Sequence, residues 1–316
     1  MSTRALVQPD LLPGLDLFPT IDLDPTNLAM VRAMLAQAPI PPIPEGIEVR
    51  TATATSSDGT AVRLLIYQAA RGAGAGPRPA ILHMHGGGYV FGAPEMMAAA
   101  NCQLVKQLGC VVASVDYRLA PEAKHPTPLE DCYAGLRWLH ANADALNIDP
   151  HRIALKGESA GGGLAAALAL LARDRGDAPI AFQALIYPMI DDRPETPPNP
   201  HTGEFIWTAA SNAFGWSCLL GCAAGGPDTP PYAAASRAAD LSRLPPAFIY
   251  VGALDLFVDA NIAYARRLLR AGVPTQLHVY PGAYHGFEIA AEAATTRQAG
   301  RDCLAALATA FARLAR

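Results

Sequence analysis

RIALKGESAGGGLAAALALLA, residues 152–172, carries the decisive reading. Its first five residues form a short, mostly apolar run that reads as a buried strand. From Ala160 to Arg173, small apolar residues read as a helix. Between the two, Gly157-Glu158-Ser159-Ala160-Gly161 fits G-x-S-x-G. A strand that turns this sharply into a helix holds Ser159 in a strained conformation. Its neighbours must be small, which accounts for Gly157 and Gly161. The hydroxyl then stands above the sheet edge at a helix N-terminus, where free N–H groups and partial positive charge favour a developing oxyanion. The same five residues could form a Gly-rich turn with a serine cap; the strand before and helix after favour the nucleophile.

Working outward, short apolar runs alternate with helical patterns. Strands are expected at Ala61–Tyr67, Ala80–His85, Cys110–Asp116, Arg152–Lys156, Phe182–Tyr187, Ala247–Val251 and Gln276–Tyr280. Helices are expected at Met96–Leu108 and Leu129–Ala143, and in the segment after Leu256, where Val258, Ile262, Ala265 and Leu269 make an inward stripe. This rhythm marks an α/β fold with a mostly parallel sheet. Two stretches break it. Residues 1–45 hold a weak helix, Asn27–Ala36, and run into PIPPIPEG. Residues 191–240 open with DDRPETPPNP and carry Phe205, Trp207, Phe214 and Trp216, the mark of a helical lid or of a plain surface excursion, with the lid favoured. The expected organisation is a cap segment at 1–45, a catalytic domain at 46–190 and 241–316, and a cap insertion at 191–240.

Three further features complete the chemistry. His85-Gly86-Gly87-Gly88 follows a buried strand, where glycines leave backbone N–H groups open to converge on one oxyanion; Ala160 would add another. His285, in GAYHGF after the last strand, is the histidine that the chain would return over the sheet. PPAFIYVGALDLFVDAN offers Asp255 and Asp259 as the acid. Asp255 is nearer the strand end and is preferred; Asp259 reads as a solvated first-turn charge. Asp255 would accept Nδ1–H of His285 and fix its tautomer.

Composition excludes several classes. Hydrophobic residues make up 51% of the 316 and charged residues 16%, enough for a large core. The net charge of -4 and the lack of a basic run leave nucleic-acid binding without footing. Six scattered cysteines suit reduced thiols in a cytoplasmic protein, with Cys218 and Cys222 able to share a helix face and no metal-ligand spacing. The N-terminus lacks the features of a signal peptide, and no apolar run is long enough to span a membrane.

With these residues placed, the sequence resembles the hormone-sensitive-lipase-like esterases, an α/β-hydrolase group. HMHGGGYVFG (83–92), DYRLAPE (116–122) with HPTPLED (125–131), GESAGGG (157–163), ALDLFVD (253–259) and YHGF (284–287) resemble its motifs in order. Glu158 stands where the group more often has Asp, and Leu256 where it has Pro. The resemblance implies an eight-stranded, mostly parallel sheet with helices on both faces and a helical cap built from both irregular stretches. It implies oxyanion donation from Gly87 and Gly88, a structural role for Gly86 and Tyr117, and a buried Arg118–Glu122 pair near the site. It also implies short- to medium-chain acyl esters as substrates, no metal or organic cofactor, and a homodimer joined along the sheet edge. Tyr89, Tyr187, Phe205, Ile206, Trp207, Phe214 and Leu256 are candidates for the substrate pocket. The rival readings are an amidase or a lactone or carbonate hydrolase on the same residues, a lipase acting at interfaces, and a non-catalytic small-ligand binding protein.

Overall fold

The computed structural model describes residues 2–18, 20–70 and 76–314. Eight strands, β1 (Ile47–Thr55), β2 (Ala61–Ala69), β3 (Arg78–Met84), β4 (Val111–Val115), β5 (Ile148–Glu158), β6 (Phe182–Ile186), β7 (Ala247–Gly252) and β8 (Thr275–Tyr280), form one sheet. Its order is β1-β2-β4-β3-β5-β6-β7-β8. β2 pairs antiparallel with both β1 and β4, and every other pair is parallel. The central strands β3, β4, β6 and β7 are buried almost throughout, which explains why they read as continuous apolar runs rather than alternations. Strand β1 was not expected: IEVRTATAT is an edge strand with mostly exposed or half-buried residues, and it lacks the apolar signal of a core strand.

The helices are α1 (Leu12–Leu17), α2 (Leu28–Ala36), α3 (Ala98–Leu108), α4 (Thr127–Ala141), α5 (Ala143–Leu146), α6 (Ala160–Arg175), α7 (Ala209–Leu220), α8 (Val258–Arg270) and α9 (Ala294–Leu314). Side chains from α4, α6 and most of the inner face of α8 join the core on one side of the sheet; α3 and α9 pack on the other. From Ala160 to Ala172, α6 is buried on all sides, so its small residues reflect close approach to sheet and neighbouring helices rather than an amphipathic face. The inward face of α8 is Val258, Asn261, Tyr264, Ala265 and Leu268. Ile262 and Leu269 of the expected stripe are exposed, because the amide of Asn261 is bonded to Pro188 O (2.8 Å) and turns the helix by about one residue.

The two irregular stretches meet each other. Leu23 N–H donates to Ser211 Oγ (2.9 Å), Ile206 N–H to Thr20 Oγ1 (3.1 Å), and Ser211 Oγ–H to Ile21 O (3.2 Å). Leu23, Leu28 and Val31 share one core cluster with Trp207 and Trp216. Cys222 lies beyond the Gly221 cap of α7, so it does not share a helix face with Cys218. All six cysteines are unpaired. Among the described residues, no helix is long and apolar enough to cross a membrane, and no three metal-ligating side chains cluster.

Candidate active site

The turn from β5 into α6 sets the site. Ser159 has φ +54° and ψ −118°, a conformation that a side-chain-bearing residue adopts only under constraint. Three backbone hydrogen bonds hold it: Ser159 N–H donates to Ile186 O, and Ser159 O accepts from Gly163 N–H and Met189 N–H, each at 2.9 Å. The flanking glycines are needed for space. A Cβ on Gly157 would stand 2.2 Å from Gly161 O, and one on Gly161 would stand 2.1 Å from Met84 O. Either substitution would push the helix off the strand.

The Ser159 Oγ lies 2.9 Å from His285 Nε2, and His285 Nδ1 lies 2.8 Å from Asp255 Oδ2. The other oxygen of Asp255 accepts from Phe257 N–H at 2.9 Å. Asp255 is fully buried, while Ser159 and His285 are each 5% exposed, so the chain ends in a hydroxyl just open to solvent. Asp255 sits in the turn after β7 and His285 in the turn after β8; parallel strands with short loops bring both to the same edge as the β5 turn. Asp259 is held elsewhere, accepting from Asn199 Nδ2 at 2.9 Å. Rings of Phe257 (5.1 Å) and Tyr187 (4.7 Å) pack edge-on against the imidazole and fix its plane.

The glycine loop after β3 approaches this turn closely. A Cβ on Gly86 would lie 3.1 Å from Glu158 O, and one on Gly87 (φ +126°) would lie 2.0 Å from Phe91 O. At Gly88 (φ +57°) the added Cβ would be 2.1 Å from Cη2 of Trp207. The loop is therefore packed, not slack. Ala160 is the first residue of α6, so its N–H has no acceptor within the helix. The loop is braced by His85, whose ring stacks on Tyr117 at 4.3 Å and whose Nδ1–H donates to Gly86 O at 2.8 Å. Tyr117 O–H donates to His85 O at 2.7 Å.

Burial holds the His85 pKa down to about 4 from 6.5, and its buried Nε2 has no partner. The unfolded chain therefore takes up a proton below about pH 6.5 that the folded chain refuses until about pH 4. The unfolded state binds more protons in that window, so stability is lost as the pH falls through it from about 6.5 to about 4, by up to roughly 3 kcal/mol. Thermal melts from neutral pH to pH 4 should show this loss, and His85→Asn should flatten it; an unchanged slope would assign the acid sensitivity to other groups.

The expected Arg118–Glu122 pair does not form. Arg118 is bonded to Asp131 (Nη2–Oδ1, 2.7 Å) and Asp58 (2.7 Å), while exposed Glu122 pairs with Arg32 of α2 at 2.7 Å. The turn after Tyr117 separates the two side chains, and each takes the closer opposite charge. Among the pocket candidates, Trp207 lies 6.4 Å from the His285 ring and Tyr187 touches that ring. Phe205 packs edge-on to Tyr284, Leu256 lies against Gly203, and Ile206 (φ +63°) stands beside Gly286. Tyr89 is fully buried, its hydroxyl bonded to Met189 O (2.7 Å) and its ring against Trp216; Phe214 packs on the same core.

One cluster escaped the sequence reading. Lys156 forms a buried ion pair with Glu158, whose other oxygen lies 2.9 Å from His83 Nε2; His83 Nδ1 lies 2.8 Å from Ser114 Oγ. The signal was there: a Lys and a Glu two apart on one strand share a face.

A strained serine at a strand–helix turn, bonded through an imidazole to a buried carboxylate at the carboxyl edge of a parallel sheet, is the architecture of an enzyme that hydrolyses by nucleophilic attack. A family model described as an α/β hydrolase fold matches residues 81–289, and the chain belongs to that family, in its hormone-sensitive-lipase-like group. The carboxylesterase NlhH of Mycobacterium tuberculosis is 34% identical over 297 residues, covering 91% of this chain and 92% of that protein. An ethyl acetate hydrolase of Pseudomonas putida is 33% identical over 234 residues, 74% of this chain and 73% of its own length. The solved structure of a bacterial heroin esterase superposes with a TM-score of 0.89 at 38% identity, covering 98% of this chain and 99% of that one.

Proposed function

We propose that the chain is a serine carboxylesterase acting on short- to medium-chain acyl esters, with Ser159 as nucleophile, His285 as general base and Asp255 as orienting acid. The observation that carries this reading is the unbroken hydrogen-bond chain from Ser159 through His285 to buried Asp255. His285 takes the hydroxyl proton as Ser159 attacks the ester carbonyl. The N–H groups of Gly87, Gly88 and Ala160 receive the oxyanion, and His285 then protonates the departing alcohol. Water repeats the sequence on the acyl-enzyme and releases the acid. None of these steps calls on a metal or organic cofactor.

The site is roofed in this reading by a cap of residues 1–45 and 191–240 over a catalytic domain of 46–190 and 241–316. The hydrogen bonds between the two cap stretches support it. Trp207, Tyr187, Phe205, Ile206 and Leu256 would line the substrate space, with Tyr89 and Phe214 bracing it from behind. The indole over Gly88 favours small acyl groups. A series of nitrophenyl esters from acetyl to decanoyl should therefore give the highest kcat/KM at the short end. Trp207→Ala should move the optimum to longer chains by about tenfold in relative kcat/KM, the value of one or two methylenes in an apolar pocket. An unmoved optimum removes Trp207 from the acyl pocket. Matched anilides in the same assay test ester against amide preference, and a preference for the anilide would replace the esterase reading by the amidase one.

A homodimer joined along the β8 edge belongs to this proposal. Its support is that β8 has a strand neighbour on one side only and carries Val279 38% exposed. Sedimentation as a monomer at micromolar concentration would discard it. Six unpaired thiols support a reducing, cytoplasmic setting.

A further inference from the structure

Residues 203–207 bridge all three loops of the site. Gly203 N–H donates at 3.1 Å to Leu254 O, in the loop that carries Asp255. The Phe205 ring packs at 6.1 Å on that of Tyr284, which precedes His285. Trp207 covers Gly88 of the glycine loop. Between these contacts sits Ile206, with φ +63°. Trp207 N–H donates back to Phe205 O at 2.7 Å, which closes a three-residue turn centred on Ile206. At positive φ this is the rare, strained form of the γ-turn. Among the described residues, Ile206 is the one β-branched residue with positive φ, the side-chain class that this region tolerates least.

The strain persists because the surrounding contacts over-determine it. Thr20 Oγ1 accepts from Ile206 N–H at 3.1 Å, and the partners of Gly203, Phe205 and Trp207 fix both ends of the segment. Glycine would hold the same turn without strain. What the strain retains is the side chain. That side chain is half-buried, and its Cγ2 lies 3.9 Å from where a Cβ on Gly286 would stand. Gly286 follows His285 and brings no side chain of its own. Ile206 therefore covers the histidine end of the site, and Trp207 the glycine-loop end.

The two ends meet different parts of an ester. In the proposed mechanism His285 Nε2, now 2.9 Å from Ser159 Oγ, must also reach the leaving oxygen, so the first carbon of the alcohol lies beside the histidine loop. We propose that Ile206 determines specificity for the alcohol half of the substrate: its branched side chain, held forward by the γ-turn, closes the space beside that carbon and admits unbranched primary alcohols in preference to secondary ones. A second carbon substituent next to the oxygen would meet the Ile206 side chain, where a primary alcohol has only hydrogen. This rests on the carboxylesterase reading and adds to it the alcohol side of the substrate class.

n-Butyl and sec-butyl acetate, isomers with the same acyl group, test it in a pH-stat assay of the full chain. The quantity read is the ratio of kcat/KM for the two esters in each variant relative to that in the wild type, so their intrinsic reactivities cancel. Ile206→Ala should shift the ratio toward sec-butyl acetate by at least about tenfold, the lower end of what one methylene contributes in an apolar pocket. Ile206→Val, which keeps the branch at Cβ, should shift it less. In both variants the optimum of the acyl-length series should stay where the wild type has it. Ile206→Gly isolates the strain: it should melt above Ile206→Ala, the reverse of the usual order, because glycine takes φ +63° freely and alanine does not. An active Ile206→Ala with an unmoved ratio, a displaced acyl optimum, or Ile206→Ala melting above Ile206→Gly would overturn the proposal. If Ile206→Ala does not fold, Ile206→Gly replaces it in the ratio measurement. A wild type that hydrolyses no ester would sink the carboxylesterase reading and this inference with it; an active wild type whose ratio the variants leave unmoved sinks this inference alone.

Discussion

Ser159→Ala should lower kcat on a nitrophenyl acetate by about 10⁴–10⁶ while leaving the melting temperature near that of the wild type. The two parts of this expectation have separate causes. In the proposed mechanism the hydroxyl bonds to the substrate carbon, and it lies 2.9 Å from the imidazole that would take its proton. Without it, only the oxyanion N–H groups and binding remain, worth about 10³–10⁴ over water. Alanine keeps the Cβ, so the positive φ of +54° is no more strained than before, and the three backbone bonds that hold the turn do not involve the side chain. Steady-state assays and thermal melts measure the two parts, and mass spectrometry of the phosphonate-treated wild type locates the labelled residue. A loss under tenfold, or labelling of another residue, would remove Ser159 from the nucleophile's place.

Asp255→Asn should cost about 10⁴ in kcat, and Asp259→Asn less than about threefold. Asp255 has one oxygen 2.8 Å from His285 Nδ1 and the other accepting from Phe257 N–H at 2.9 Å. Asparagine cannot satisfy both: its NH₂ must face either the ring nitrogen or an N–H donor. Facing the ring, it selects the tautomer with the proton on Nε2, which cannot accept from Ser159. Asp259 sits in the first turn of α8 and accepts from Asn199. Losing that charge disturbs the loop at 195–199, remote from the imidazole. Equal losses from the two variants would show that the acid has been misassigned.

These residues differ in how legible they were. The β5 turn was readable because its requirements are local: a strand, a helix and a forced φ between them dictate glycines at fixed offsets. The glycine loop after β3 was readable for the same reason. Choosing Asp255 over Asp259 used only the distance from the strand end; in the structure Asp255 is the one bonded to His285, while Asp259 accepts from Asn199. Strand β1 was missed because an exposed edge strand needs no apolar face. The α8 stripe was drawn one residue out because Asn261, a polar residue, is the one turned inward, where it satisfies Pro188 O. The Arg118–Glu122 pair failed because charge pairing is decided by what else is near. Arg118 met Asp131 and Asp58 first, and Glu122 met Arg32 from a helix about 90 residues upstream.

By itself the sequence determined the order of the buried strands and the sharp turn at Ser159 and offered the candidate reactive groups, since each follows from residue volume, periodicity and backbone freedom within a few positions. The tertiary structure alone decided which side chains meet: that Trp207 lies over Gly88, that His83 meets Glu158, and that Glu288 accepts from the hydroxyls of Tyr187 and Tyr250. Those contacts join segments far apart in the chain. Their geometry depends on the packing of the whole sheet and its helices, which no local pattern encodes.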